Sequence, residues 1–270
     1  MKPANLLIAI CCILIAPTRV FARIYITAGT DVSTRSYVQF YVEDDLGRRT
    51  GQPPTGPEVA EIPGTAGHYG TESIFKEGTG ESGPESVEFH ISSFPAGHFK
   101  LVLLPQITTS YWLLVSIVND NNASLHQKFF GYGTVASPLI FEFEHHPANA
   151  SPTPIAKDVS IGGLRQSVIA ALQVGQLGDS AFTARLDKML AKAQSEADSG
   201  KNKQAADRLD QFVHRLESAF KKEPDPNDGD DPDDKKNAST MKRFVVKTAL
   251  DSLSADARIL IGGLGEQPKK

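Results

Sequence analysis

The spacing of apolar residues changes once along this chain, and that change limits what it can fold into. As far as residue 147 the repeat is two. Ile24 and Ile26 alternate with polar neighbours, as do Val38, Phe40 and Val42, then Val87, Phe89 and Ile91, then Phe99, Leu101 and Leu103, then Phe141 and Phe143. From residue 161 the steps are three and four: Ile161, Leu164, Val168 and Leu172, then Phe182, Leu186, Met189, Leu190 and Ala193. The pattern continues through Ala206, Leu209, Phe212, Val213, Leu216 and Phe220, and again through Phe244, Thr248, Leu253, Ala257 and Leu260. A repeat of two lines one face of a strand, and a repeat near 3.6 lines one face of a helix. The expected fold class is therefore separate β and α domains: an N-terminal antiparallel β-sandwich over 23–147 and a small helical bundle over 159–264. Six to eight short strands are expected, with Tyr111 to Val118 as a central strand covered on both faces.

Between these regions the composition shifts. Residues 52–85 hold Pro53-Pro54, Gly56-Pro57, Pro63-Gly64 and the run Gly78-Thr79-Gly80-Glu81-Ser82-Gly83-Pro84, and read as a long irregular insertion. Residues 148–158, with Pro152 and Pro154 among small residues, read as an interdomain linker. Gly175, Gly178 and Gly200 fall where helices are expected to stop. Residues 223–236 are acidic, carry Pro226 and Pro232 and lack apolar side chains, so they read as a mobile loop.

The first 22 residues have the three-part layout of a secretory signal: Lys2, an apolar run from Leu6 to Ala16, and Val20-Phe21-Ala22 before the expected cleavage point. The run is short for a bilayer, which needs about 20 apolar residues, so no membrane span is expected after cleavage. Cys11 and Cys12 are the only cysteines and both lie in this run, with Ile10 rather than a small residue before them, against lipidation. The mature chain would have no disulfide, thiolate metal site or cysteine nucleophile. Losing Lys2 and Arg19 lowers the formal charge of −4 by two more. Such an acidic chain is a poor partner for nucleic acid. The expected location is secreted or periplasmic.

Few residues carry the pattern of a reaction. There is no Gly-x-Ser-x-Gly elbow and no Gly-x4-Gly-Lys-Ser/Thr loop, and no Gly-x-Gly-x-x-Gly follows an expected strand, the run Gly78-x-Gly80-x-x-Gly83 lying in the segment read as irregular. Glu142, Glu144 and His146 share one face of a strand and offer three zinc ligands, against the simpler reading of a charged edge strand. His145 and His146 with nearby acids are the residues a metal-dependent hydrolase would use. Asp225, Asn227, Asp228, Asp230 and Asp231 offer oxygen ligands for weak calcium binding. The EF-hand spacing fails, however, because Gly229 falls one position early and Lys236 stands at position twelve, so a solvated acidic linker is the simpler reading. No other cofactor is expected.

The remaining candidates are aromatic. With Tyr111, Leu113, Val115 and Ile117 facing inward, Trp112 turns to the other face, and Tyr37 and Tyr41 lie opposite the apolar stripe of their own strand. Exposed, the three would form a platform for sugar rings or a protein anchor. The simpler reading is burial against the 52–85 segment or the helical domain.

The helical part resembles the FIVAR-like modules of secreted bacterial proteins. The matching residues are Leu164, Val168 and Leu172, Gly175-Gln176-Leu177, Leu186, Leu190, Ala193, Gly200, Ala205, and Leu209-Asp210-Gln211-Phe212-Val213, with Ala249, Leu253 and Ala257 after the acidic segment. The first part resembles the Ig-like or carboxypeptidase-regulatory-like accessory sandwiches of exported bacterial proteins. This rests on the hairpin Asp44-Asp45-Leu46-Gly47-Arg48-Arg49-Thr50-Gly51, on Glu61-Ile62-Pro63-Gly64, and on the turn Pro95-Ala96-Gly97-His98-Phe99 before a strand. Both resemblances imply accessory modules rather than enzymes. The expected function is an exported, non-catalytic binding or structural protein whose sandwich docks a protein or polysaccharide. The alternatives are a stand-alone carbohydrate-binding module and, third, the metal-dependent hydrolase.

Overall fold

The structure, a computed structural model, describes residues 22–30, 38–65, 68–75, 82–91, 94–135, 137–220 and 244–265. Residues 1–21 of the expected signal, Tyr37 and the acidic segment with Asp225, Asn227, Asp228, Asp230 and Asp231 lie outside that set. Among the described residues, two antiparallel sheets come first and four helices follow. The first sheet has the order β5 (His68–Phe75), β6 (Ser82–Ile91), β1 (Arg23–Thr30), β8 (Thr109–Val118), β9 (Ser124–Gly133). The second runs β11 (Ala156–Lys157), β10 (Leu139–His145), β7 (Gly97–Pro105), β2 (Val38–Asp44), β3 (Arg49–Gly51), β4 (Val59–Ala60).

The alternation seen in the sequence explains how the sheets meet. Ile24, Ile26, Phe89, Tyr111, Leu113 and Val115 of the first sheet join Phe40, Leu101, Leu103 and Phe141 of the second in one buried cluster. Across it the Phe40 and Phe89 rings meet edge-on at 6.2 Å, and Tyr111 meets Phe141 edge-on at 6.5 Å. Each fully buried side chain of this size contributes about 1.5–3 kcal/mol of transfer free energy.

Two sequence expectations need correction. Residues 52–85 are not a wholly irregular insertion: they contain β4, β5 and the start of β6, which pairs with β1. The segment reads as loop because its glycines and prolines mask a ladder held by backbone bonds rather than by an apolar stripe. Nor is 148–158 wholly a linker. Ala156 and Lys157 form β11 against Glu142 and Phe141, and Gln127 Nε2 and Oε1 bind the backbone of Ile155 at 3.0 and 2.7 Å. With these additions the described residues hold eleven strands, more than the six to eight expected.

The helices are α1 (Ile161–Gln173), α2 (Ser180–Asp198), α3 (Asn202–Phe220) and α4 (Lys247–Gly265). Ser160 caps α1, its Oγ accepting from Gly163 N at 3.0 Å, and Asp179 caps α2 by accepting from Phe182 N at 2.7 Å. Gly175 and Gly200 follow α1 and α2 at φ 74° and 71°, the left-handed conformation that ends a helix without Cβ strain. Gly178 is no terminator: it lies just before the Asp179 cap, its N–H donating to Phe244 O. The apolar faces converge on Leu164, Val168, Leu186, Leu190, Leu209, Phe212, Leu216, Leu253 and Ala257. One strand residue, Tyr132 of β9, belongs to this helical cluster.

Candidate docking face

In β1, β6, β8 and β9 the side chains that turn away from the shared cluster fall into register across the first sheet. One row runs His90, Tyr25, Ser116, His126; the next Glu88, Thr27, Leu114, Lys128; the third Ser86, Gly29, Trp112, Phe130. Neighbouring strands lie about 4.8 Å apart, so side chains in one row touch. In the first row the Tyr25 and His90 rings stack at 4.2 Å, and His126 Nδ1 lies 2.8 Å from Ser116 Oγ. Lys128 Nζ stands 4.7 Å from the centre of the Phe130 ring, and Phe130 is 43% exposed.

Trp112 is half-buried, and Gly29 beneath it decides how. A methyl group at Gly29 would fall 2.7 Å from indole Cε2 and Cζ2 and 2.9 Å from Nε1. Near-equal distances to three adjacent ring atoms put Gly29 under the face of the indole, not at its edge. With no side chain on β1 at that point, the ring lies down across the strand and turns its other face outward.

This face ends where the helices begin. The next outward residue of β9, Tyr132, donates its hydroxyl to Gln176 Oε1 at 2.5 Å, and Ser252 Oγ of α4 donates to Phe130 O at 3.1 Å. The aromatic rows therefore lie open and stop at a helical wall.

Of the three aromatics expected to form one platform, Tyr37 lies outside the described residues, and Trp112 and Tyr41 do not come together. Trp112 is in the first sheet, whereas Tyr41 is in β2 of the second and also turns away from the shared cluster. Tyr41 is 8% exposed, packs with Val102 and Leu104, and has the Arg49 guanidinium 5.0 Å from its ring centre. Burial pushes its hydroxyl pKa up, with Arg49 opposing. Tyr41 is thus removed from any platform that includes Trp112; Tyr25, His90 and Phe130 take its place. Register across four strands identifies them, and no single-strand pattern carries that.

The paired histidines also separate. His145 is 1% exposed, packs edge-on to Phe94 at 5.5 Å, and among the described residues neither ring nitrogen meets a hydrogen-bond partner. Burial, with His146 adding to it, pushes its pKa down to about 4. His146 turns to the opposite side of the strand and pairs with Glu144 at 3.1 Å, while Glu142 lies 3.7 Å from Lys100. Among the described residues no three His, Cys, Asp or Glu side chains gather as metal ligands.

A cleft of about 130 Å³ opens between the sheets and the helices, lined in part by Thr134, Ser160, Ser167, Lys157 and Asp256. Two of its charges are engaged with each other, Lys157 Nζ bonding both carboxylate oxygens of Asp256. The lysine lies in what the sequence presents as a linker, so nothing local marks it.

No helix among the described residues is long and apolar enough to cross a membrane. Comparison of the chain with protein-family models, with curated proteins and with solved structures finds no match in any of the three.

Proposed function

We propose that this chain is an exported, non-catalytic binding or structural protein, in which an Ig-like sandwich docks a protein or polymer and FIVAR-like helices brace it. The observation that carries the reading is the open aromatic face of the first sheet, where Trp112 lies over Gly29 beside the exposed Phe130. Large aromatics on a flat face contribute strongly to association, because they bury much apolar area with little loss of side-chain freedom. The fixed backbone supports the same reading. Four paired strands hold the rows, and the helices closing on Phe130 and Tyr132 stiffen one end. The signal-like N-terminus supports export.

The test is affinity capture from cell-envelope extract, using the protein and its W112S/F130S variant side by side. A partner held by the protein and lost by the folded variant supports docking through this face. A partner retained by the variant moves docking elsewhere, and a hydrolytic activity that copurifies and disappears in the H146A variant overturns the non-catalytic assignment.

A further inference from the structure

We propose that the β8–β9 hairpin carries a site of N-linked sugar attachment at Asn122. The proposal shares with the docking reading only its premise of export. The tripeptide Asn-Ala-Ser occurs three times, starting at Asn122, Asn149 and Asn237. An Asn followed two residues on by Ser or Thr, with no Pro between, is the acceptor that sugar-transferring enzymes of export routes recognise. Asn237 lies outside the described residues. The fold brings the other two copies side by side, at the end of β9 opposite the helical wall. Asp120 N donates to Pro147 O at 3.0 Å, Asn119 Nδ2 to Asn149 O at 3.0 Å, and Asn121 Nδ2 to Asn149 O and Ala150 O at 3.2 and 3.3 Å. Asn121 Oδ1 also accepts from Ala123 N at 2.9 Å.

The asparagines that meet here divide by use. The side chains of Asn119 and Asn121 fasten the two turns together, and neither residue is followed by a hydroxyl at the second position. The side chains of Asn122 and Asn149 bond to no described residue, both residues are exposed, and each has an exposed serine two positions on. Turn chemistry by itself explains an Asn at position 122, whose φ of 64° suits Asn or Gly. It does not explain an unengaged amide followed by an exposed serine, twice in the same place. Asn122 is the better acceptor of the two. Pro152 follows Ser151 and holds its backbone extended, whereas Leu125 follows Ser124 and leaves the chain free to bend into an enzyme during export. The donor is an oligosaccharide held on a membrane lipid through pyrophosphate. Asn122 Nδ2 bonds to the anomeric carbon as that carbon's bond to the pyrophosphate oxygen breaks. The amide gives up one proton, and the lipid pyrophosphate leaves with the electron pair. The sugar then stands at the hairpin tip, while Trp112 and Phe130 lie toward the other end of β8 and β9, so the aromatic face stays open.

The experiment is mass spectrometry of the full chain recovered from outside the cytoplasm of its own cells. Lys100, Lys128 and Lys157 let trypsin release 101–128 and 129–157 as separate peptides, with one acceptor in each. Expected is a series of sugar masses on 101–128, localised to Asn122 by fragmentation. S124A, which leaves Asn122 in place, should abolish it. So should N122D, since Asp also tolerates the turn. S124T, which keeps the hydroxyl, should retain it, and all three variants should be exported like the parent. An exported chain whose 101–128 peptide is bare overturns the proposal. Sugar that persists on S124A, or that sits only on 129–157, overturns it as well. W112S/F130S should carry the sugar even where it loses its envelope partner, so the attachment site and the docking face fail separately. A chain kept in the cytoplasm with residues 1–22 still attached overturns export, and both readings with it.

Discussion

Lys157 Nζ lies 2.7 Å from both carboxylate oxygens of Asp256, across 99 positions of chain, and each side chain is 7% exposed. The pair joins an edge strand of the second sheet to α4. Burial works against the lysine charge, but Tyr111 and Asp256 outweigh it and hold Lys157 above its ordinary value. Removing one partner strands a buried charge, which costs about 3–5 kcal/mol, whereas replacing both with apolar groups restores most of the loss. D256L should therefore lower the urea midpoint strongly and K157M/D256L should recover it. Because the pair spans the two regions, both should unfold in one transition by fluorescence and by circular dichroism.

His145 sets a pH dependence. Unfolded, its imidazole titrates near ~6.5, while in the fold burial brings it down to about 4. Between those values the unfolded chain holds a proton that the folded chain does not. Stability thus falls as pH drops through this window, and the ring has no effect above it. The loss is at most about 3 kcal/mol, and smaller to the extent that solvent screens the ring. Urea midpoints measured from pH 7.5 to 4.5 should fall more steeply for the parent than for H145L. Equal slopes would contradict the assignment.

Trp112 is the chain's one tryptophan, so intrinsic tryptophan fluorescence reports on the docking face alone. In G29A the new methyl meets the indole face, and the ring must lift. Emission should move to the red, and the strain should cost about 1–3 kcal/mol. An unchanged spectrum would mean that the ring does not lie over Gly29.

Tyr132 joins the sheet to the helical core. Y132F loses the hydroxyl's bond to Gln176, about 1 kcal/mol. Y132A also opens a cavity among Ile161, Leu164 and their neighbours, and should cost about 3–5 kcal/mol in denaturant unfolding. Similar losses for the two variants would show that the ring is not part of that core.

Much of this protein can be read residue by residue. Val38, Phe40 and Val42, or Leu164 and Val168, declare strand and helix because backbone geometry alone sets which neighbours share a face. The same rule turns Trp112 away from the core once Tyr111 and Leu113 are inside, as they are at 0% exposure. It is silent on which strands become neighbours. That Tyr25, His90 and Phe130 rather than Tyr41 accompany Trp112 depends on pairing and register among distant segments. Backbone hydrogen bonds form that pairing with little regard to side-chain identity. The burial of Lys157 is of the same kind. Nothing between Ser151 and Ser160 marks it, and only the docking of α4 removes its ammonium from water and supplies Asp256. Local pattern is written in short stretches of chain, whereas the docking face and the buried pair arise from contacts that exist only once the whole chain has closed on itself.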